Sequence, residues 1–334
     1  MRTALITTTV NVPRVLELYR KLAGPEIQFF VALDRKSADL REWTAELLER
    51  GHGDSNTILL GPGAQEKYEC SELLGWDTDS RRNIALLEAL KWGADLIVSV
   101  DDDMVACQSE FVPEDIFEFG FSGLQFGQRG YWFDAGSYAL SVVPQRGLPI
   151  GERLSVSPDS IVGANIGVAQ GIILGVPDTQ ATAAITVLPI VHTATDILRN
   201  GFVVHPEAYA VFNSQFTCFR RELAPAFAQY YFAQGRNTDI MASMLMRRIM
   251  QERNLYTYYG PPMAFHARTP RPLFNDLKAE MYGLEHIAEY ADYLRRAPLP
   301  DGSVVDQCRV LSEGWNGPEL QAAKAWYNDV EKVL

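Results

Sequence analysis

The chain has 334 residues, 47% of them hydrophobic and 22% charged, enough apolar material to bury one large core or two modest ones that share a sheet. With 42 Asp and Glu against 30 Lys and Arg the formal charge is −12, which disfavours a nucleic-acid partner, because phosphate contacts need clustered basic residues that the sequence lacks. No run of about eighteen unbroken apolar residues suggests a membrane span, and the start lacks the pattern of a secretory signal, so a cytoplasmic location is expected.

In chain order, the apolar, β-branched run at residues 4–9 predicts a strand. A helix then opens at Pro13, carries Val15, Leu16, Tyr19 and Leu22 on one face and stops at Gly24, and residues 27–33 form a second strand. A helix over 38–50, ended by Gly51, and a strand over 58–60 continue the alternation. Such alternation predicts an α/β fold with a mostly parallel sheet flanked by helices on both faces. Residues 80–92 read as a helix and 95–100 as a buried strand that runs directly into Asp101, Asp102 and Asp103. Beyond residue 140 the pattern is less regular, with a small-residue segment over 163–175, the polar motif Asn213-Ser214-Gln215 and a helix over 238–252. The last fifty residues look helical and are read as an appendage packed on the core. The cysteines, Cys70, Cys107, Cys218 and Cys308, form no CxxC pair and imply buried free thiols rather than a zinc site or disulfide framework.

Ligands of open α/β sheets bind beyond the carboxyl ends of the strands, where the acidic triplet lies. Three adjacent carboxylates repel one another unless a cation, hydrogen-bond donors or raised pKa values relieve them. One reading is a divalent ion, Mn²⁺ or Mg²⁺, held by Asp101 and Asp103 and shared with a diphosphate; the other is a solvated Asp-rich turn. Arg81 and Arg82 open the preceding helix, where the dipole disfavours cations, so a diphosphate between them and the metal is expected, with Asn83 as a further contact. Alternatively the arginines pair with Asp77 or Asp79.

The run Arg81-Arg82-Asn83-Ile84-Ala85, followed by Gly93-Ala94-Asp95-Leu96-Ile97 and Asp101-Asp102-Asp103, resembles the nucleotide-sugar half of glycosyltransferase-A (GT-A) enzymes. It is most similar to the STELLO-like glycosyltransferases and to the reversibly glycosylated polypeptide family, whose plant members are UDP-arabinopyranose mutases. Further pieces match in the same order: Gly175-Val176-Pro177-Asp178, Asn213-Ser214-Gln215, the segment from Arg236 around Asp239, and His266. The resemblance implies a GT-A, Rossmann-like catalytic domain over residues 1–283 that holds both substrates, with a helical extension over 284–334.

It further implies that Asp101 and Asp103 bind the metal, that Thr7, Thr8, Asn11 and Asp34 hold the nucleoside, and that Arg81, Arg82, Asn83 and Asp102 complete that side. His266 would be a late metal or diphosphate ligand, or else a satisfied core residue. Asp239 either caps its helix or orients or deprotonates an acceptor hydroxyl or grips the donor sugar; Asp178 is a turn residue or an acceptor contact. Asn213 and Gln215, adjacent amides that make poor core residues, are expected to line a sugar pocket. Where the mutase family has two adjacent acids near the late helix this chain has Thr238 before Asp239, and Arg153 is the nearest counterpart of its glycosylated arginine. The first expectation is therefore a metal-dependent glycosyltransferase using a nucleoside-diphosphate sugar, a UDP-sugar foremost, and an acceptor the sequence does not specify. The alternatives are a UDP-sugar pyranose/furanose mutase and an inactive sugar-nucleotide binder; a DNA-modifying transferase is disfavoured by the charge.

Overall fold

Strands with apolar residues at both odd and even positions can be covered on both faces, and the first two strands are of this kind. In β1 (Thr3–Thr9), Ala4 and Ile6 face one core and Leu5 the other; in β2 (Ile27–Leu33), Phe30 and Ala32 alternate likewise with Phe29 and Val31. Helix α1 (Val15–Leu22) joins them and buries Leu16 and Tyr19. These elements belong to a computed structural model that describes residues 1–24, 26–37, 56–108, 111–138, 145–149, 157–266, 268 and 272–334. The helix expected over 38–50 and Arg153 lie outside the described residues.

β1 pairs in parallel with β2 and with β4 (Leu96–Val100), and β2 with β3 (Thr57–Leu60), so the first half of the sheet is the parallel unit expected. The remaining strands are β5 (Met104–Ala106), β6 (Phe121–Phe126), β7 (Asp159–Ala164), β8 (Ile166–Gly175), β9 (Phe202–Val204), β10 (Phe216–Arg220) and β11 (Tyr256–His266). The order is β3-β2-β1-β4-β10-β8-β11-β9-β6-β7, with β5 paired to β11, an eleven-stranded sheet among the described residues. Direction reverses at β10, which is antiparallel to both β4 and β8, while β8 and β11 run parallel. The architecture is thus α/β with helices on both faces, in a sheet whose second half mixes directions.

Helix α2 (Arg82–Trp92), entered through a 3-10 turn at Asp79–Arg81, is buried nearly all round because it lies between the sheet and the C-terminal helices. It ends at Gly93, whose φ of +87° lets its N–H reach the carbonyls of Ala89 and Leu90. Helix α3 (Thr238–Glu252) has the bounds read from the sequence. The C-terminal region is helical as expected: α4 (Leu273–Arg296), α5 (Val304–Trp315) and α6 (Leu320–Val333). The expected boundary between residues 283 and 284 falls inside α4, which crosses it without a break. Gly283 lets α4 pack closely against the entrance to α3, where a Cβ would meet the Asn237 side chain at 2.3 Å. Of the cysteines, three are buried and free, whereas Cys107 is exposed, contrary to expectation. Among the described residues no helix is long and apolar enough to cross a membrane.

Candidate functional site

β1 and β4 end side by side, and the chain turns immediately beyond β4. Asp101 N–H donates to the Gln215 carbonyl (3.1 Å) and Met104 N–H returns to the Asp101 carbonyl (3.2 Å), so the triplet is a tight turn at the mouth of the parallel strands. β5 then pairs with the end of β11, with Met104 opposite His266. This register brings Asp103 Oδ2 to 3.0 Å from His266 Nε2. The other ring nitrogen, Nδ1, lies 2.6 Å from the Val176 carbonyl, which can only accept, so in the neutral ring Nδ1 carries the proton and Nε2 presents a lone pair. An oxygen and an imidazole nitrogen 3.0 Å apart have the spacing of neighbouring ligands around an octahedral ion with bonds of about 2.1 Å.

The other two acids are occupied differently. Asp101, expected to bind a metal alongside Asp103, pairs through Oδ1 with Arg82. Among the described residues no cluster of three His, Cys, Asp or Glu is placed to hold an ion, which leaves Asp103 and His266 as a two-donor seat that ligand oxygens would have to complete. Burial pushes Asp101 up to about 6, against the pull of Arg82 and with repulsion from Asp79 and Asp103 added. Asp102 accepts the Thr9 hydroxyl (2.5 Å) and is likewise raised by burial.

Across a cleft of about 190 Å³ stands a buried ionic wall. Arg146 reaches Asp178 Oδ2 through Nε (2.5 Å) and Asp239 Oδ2 through Nη2 (2.8 Å). Arg236 holds the other oxygen of Asp178 (2.5 Å) and turns to Glu280 (2.9 Å) and Asp276 (3.1 Å) of α4, where Arg268 also ends. Asp239 additionally accepts the backbone N–H groups of Ser214 (3.0 Å) and Ile240 (2.9 Å). Burial works against the charge on Arg146, but Asp178, Asp239 and Glu280 outweigh it and hold the guanidinium above its ordinary value. Glu280 is raised, burial exceeding the opposing effects of Arg146, the Ala181 N–H and Arg236.

Of the residues singled out in the sequence, Thr8, Arg82, the acidic triplet, Asp178, Gln215, Asp239 and His266 line this one cleft. Others do not reach it. Arg81 is fully buried: it bonds Gln65, Ser71 and the Gly75 carbonyl, stacks 3.8 Å over Trp76, and is pushed down to about 10 by burial. Asn83 exchanges both its amide groups with the Gln229 backbone. Thr7 is buried within β1, and exposed Asn11 is held through its backbone by the Thr9 hydroxyl. Asp34 accepts the N–H groups of Arg35 and Asp77 (both 2.6 Å). Asn213 lines an adjoining pocket rather than the cleft. The sequence reading missed Arg146, which follows no motif, and Arg236, present in the matching segment but given no role.

No family model matches the chain, and no curated protein is detectably similar in sequence. Solved structures show a distant likeness in shape. Glucosyl-3-phosphoglycerate synthase from Mycobacterium tuberculosis, in complex with phosphoglyceric acid, is 14% identical over 88% of this chain and 78% of that one, with a TM-score of 0.41. The mannosyltransferase PcManGT from Pyrobaculum calidifontis, in complex with GDP-Man and Mn²⁺, is 12% identical over 99% and 85%, also at 0.41. S. aureus TarS in complex with UDP is 13% identical over 95% and 71%, at 0.40. Likenesses of this size are too remote for any of these proteins' chemistry to be transferred to the cleft described above.

Proposed function

We propose that the cleft binds a nucleoside-diphosphate sugar together with Mn²⁺ or Mg²⁺ and that the protein transfers the glycosyl group to an acceptor hydroxyl. The observation that carries this reading is the charge of the cleft: six carboxylates and three guanidinium groups line it, so by itself it repels a diphosphate, yet Arg82 stands at its inner end beside the open Asp103–His266 pair. Asp103 and His266 would hold the cation, which when bound neutralises charge on the departing diphosphate. Arg82, whose Nε has no hydrogen-bond partner among the described residues, binds diphosphate oxygen as charge develops there. Asp239 has both oxygens engaged by N–H donors and one paired to Arg146, which suits it to hold a sugar hydroxyl rather than remove its proton. Asp178, anchored by two arginines, is a second fixed acceptor on the same wall. The order of motifs shared with GT-A enzymes supports the same assignment.

Calorimetric titration with UDP-, GDP- and dTDP-sugars in the presence of Mn²⁺ tests it, with Asp103→Ala as control. Metal-dependent binding that the variant loses, followed by release of the diphosphate, is the expected result. Recovery of an isomeric sugar nucleotide instead would mean a mutase, and no binding of any sugar nucleotide would sink the assignment.

A further inference from the structure

Beside the cleft lies a smaller pocket of about 50 Å³ that shares Asp178 and Gln215 with it. The chemistry changes across that shared edge. Where the cleft is densely charged, the pocket carries the amides of Gln145, Gln170, Asn213 and Gln215 against aliphatic Ile173 and Val191, and no Lys or Arg lines it among the described residues. The orientations of the Gln145 and Asn213 amides are fixed by the backbone. Gln145 Nε2 donates to the Val211 carbonyl (2.7 Å), which can only accept, so Gln145 Oε1 is an acceptor. Asn213 Oδ1 accepts the Gln215 N–H (3.1 Å) and therefore also the Gln170 amide (2.7 Å). Gln145 Oε1 and Gln215 Oε1 are both buried without a hydrogen-bond partner among the described residues, and Gln215 as a whole is only 5% exposed. Buried acceptors in this state need a donor, which water supplies in the free pocket and a ligand O–H or N–H can replace.

We infer that this pocket receives a small uncharged arm of the sugar, a hydroxymethyl or acetamido group, whose O–H or N–H donates to Gln145 and Gln215. The assignment rests on the cleft being a sugar-nucleotide site. A volume of about 50 Å³ takes roughly three or four water-sized groups, room for an arm and not for a ring. A carboxylate in the same place would meet two acceptor oxygens with Asp178 at the rim, and a sugar lacking the arm would leave those oxygens unpaired.

The test is calorimetry with saturating Mn²⁺ on three sets of probes: UDP, UDP-glucose, UDP-glucuronate and UDP-xylose; GDP, GDP-mannose and GDP-rhamnose; and dTDP, dTDP-glucose and dTDP-xylose. Within the set whose bare diphosphate binds, the hexose should bind tightest and the sugar lacking the hydroxymethyl oxygen about tenfold weaker; in the UDP set the uronate should bind about a hundredfold weaker. In Gln145→Leu these ratios should fall toward one, with a cooperative thermal transition confirming that the variant folds. Equal affinity for hexose and uronate, or ratios unchanged in the variant, would overturn the pocket assignment and leave the donor site standing. Failure of UDP, GDP, dTDP and all of their sugars to bind would instead remove the cleft reading, and the pocket assignment with it.

Discussion

The two walls of the cleft are built from the same residue types in opposite ways. On the strand-end wall, the side chains of Asp101 and Asp103 are 29% and 40% exposed, and Asp103 contacts the His266 ring. On the opposite wall Asp178, Asp239, Asp276 and Glu280 are at most 6% exposed, and each contacts at least one arginine. Charges that must be satisfied before any ligand arrives are buried with their partners, because an unpaired buried charge costs too much to keep. Charges left half-hydrated are tolerable without a partner and free to acquire one. The contrast separates a wall whose acids are already paired with arginines from one whose acids keep contact with water.

Substitutions can break this contrast. The largest effect is expected from Arg146→Met, which removes the guanidinium shared by Asp178 and Asp239 and should lower stability by about 3–5 kcal/mol in urea unfolding. A loss near zero would mean the far wall is not held by its ion pairs. Next, Asp103→Asn should leave stability within about 0.5 kcal/mol of the parent, while Mn²⁺-dependent sugar-nucleotide affinity falls by about 10–100-fold. Arg82→Met, which strands only the partly hydrated Asp101, should cost about 1–2 kcal/mol, and a cost equal to that of Arg146→Met would erase the distinction between the walls.

The smallest effect concerns pH. Because burial raises Glu280 above its unfolded value, the native state holds its proton more tightly, so this group's contribution to stability declines as pH rises from the unfolded pKa through the folded one. The difference in unfolding free energy between the parent and Glu280→Gln should therefore move in the variant's favour between about pH 4 and about pH 7. A difference independent of pH would show that Arg236 and the Ala181 N–H fully offset the burial.

Much of the fold was legible because its signals are local. Apolar runs marked β1 and β2, and the bounds of α3 matched the helix read over residues 238–252. The acidic triplet was legible as a strand-end site for the same reason. What failed depended on direction in space. Arg81 and Arg82 are adjacent in sequence, yet successive residues of a helical turn point about 100° apart, and only Arg82 looks into the cleft while Arg81 turns back onto Gln65 and Ser71. Asn83 follows the same rotation to Gln229. Arg146 was invisible because its partners, Asp178 and Asp239, are distant in sequence and no local pattern announces the pairing. The reversal of the sheet at β10 is likewise a property of pairing rather than of any one strand.

The reach of α4 into the far wall has a consequence for the order in which the protein is made. Glu280 and Asp276, which hold Arg236 against Asp178, come from a helix that follows every other element of the cleft in the chain. During synthesis the acidic triplet, Arg82 and Arg146 all emerge long before it. A nascent chain halted ahead of residue 273 would carry the strand-end wall but not a braced opposite wall, so the cleft is finished only when translation has passed through α4.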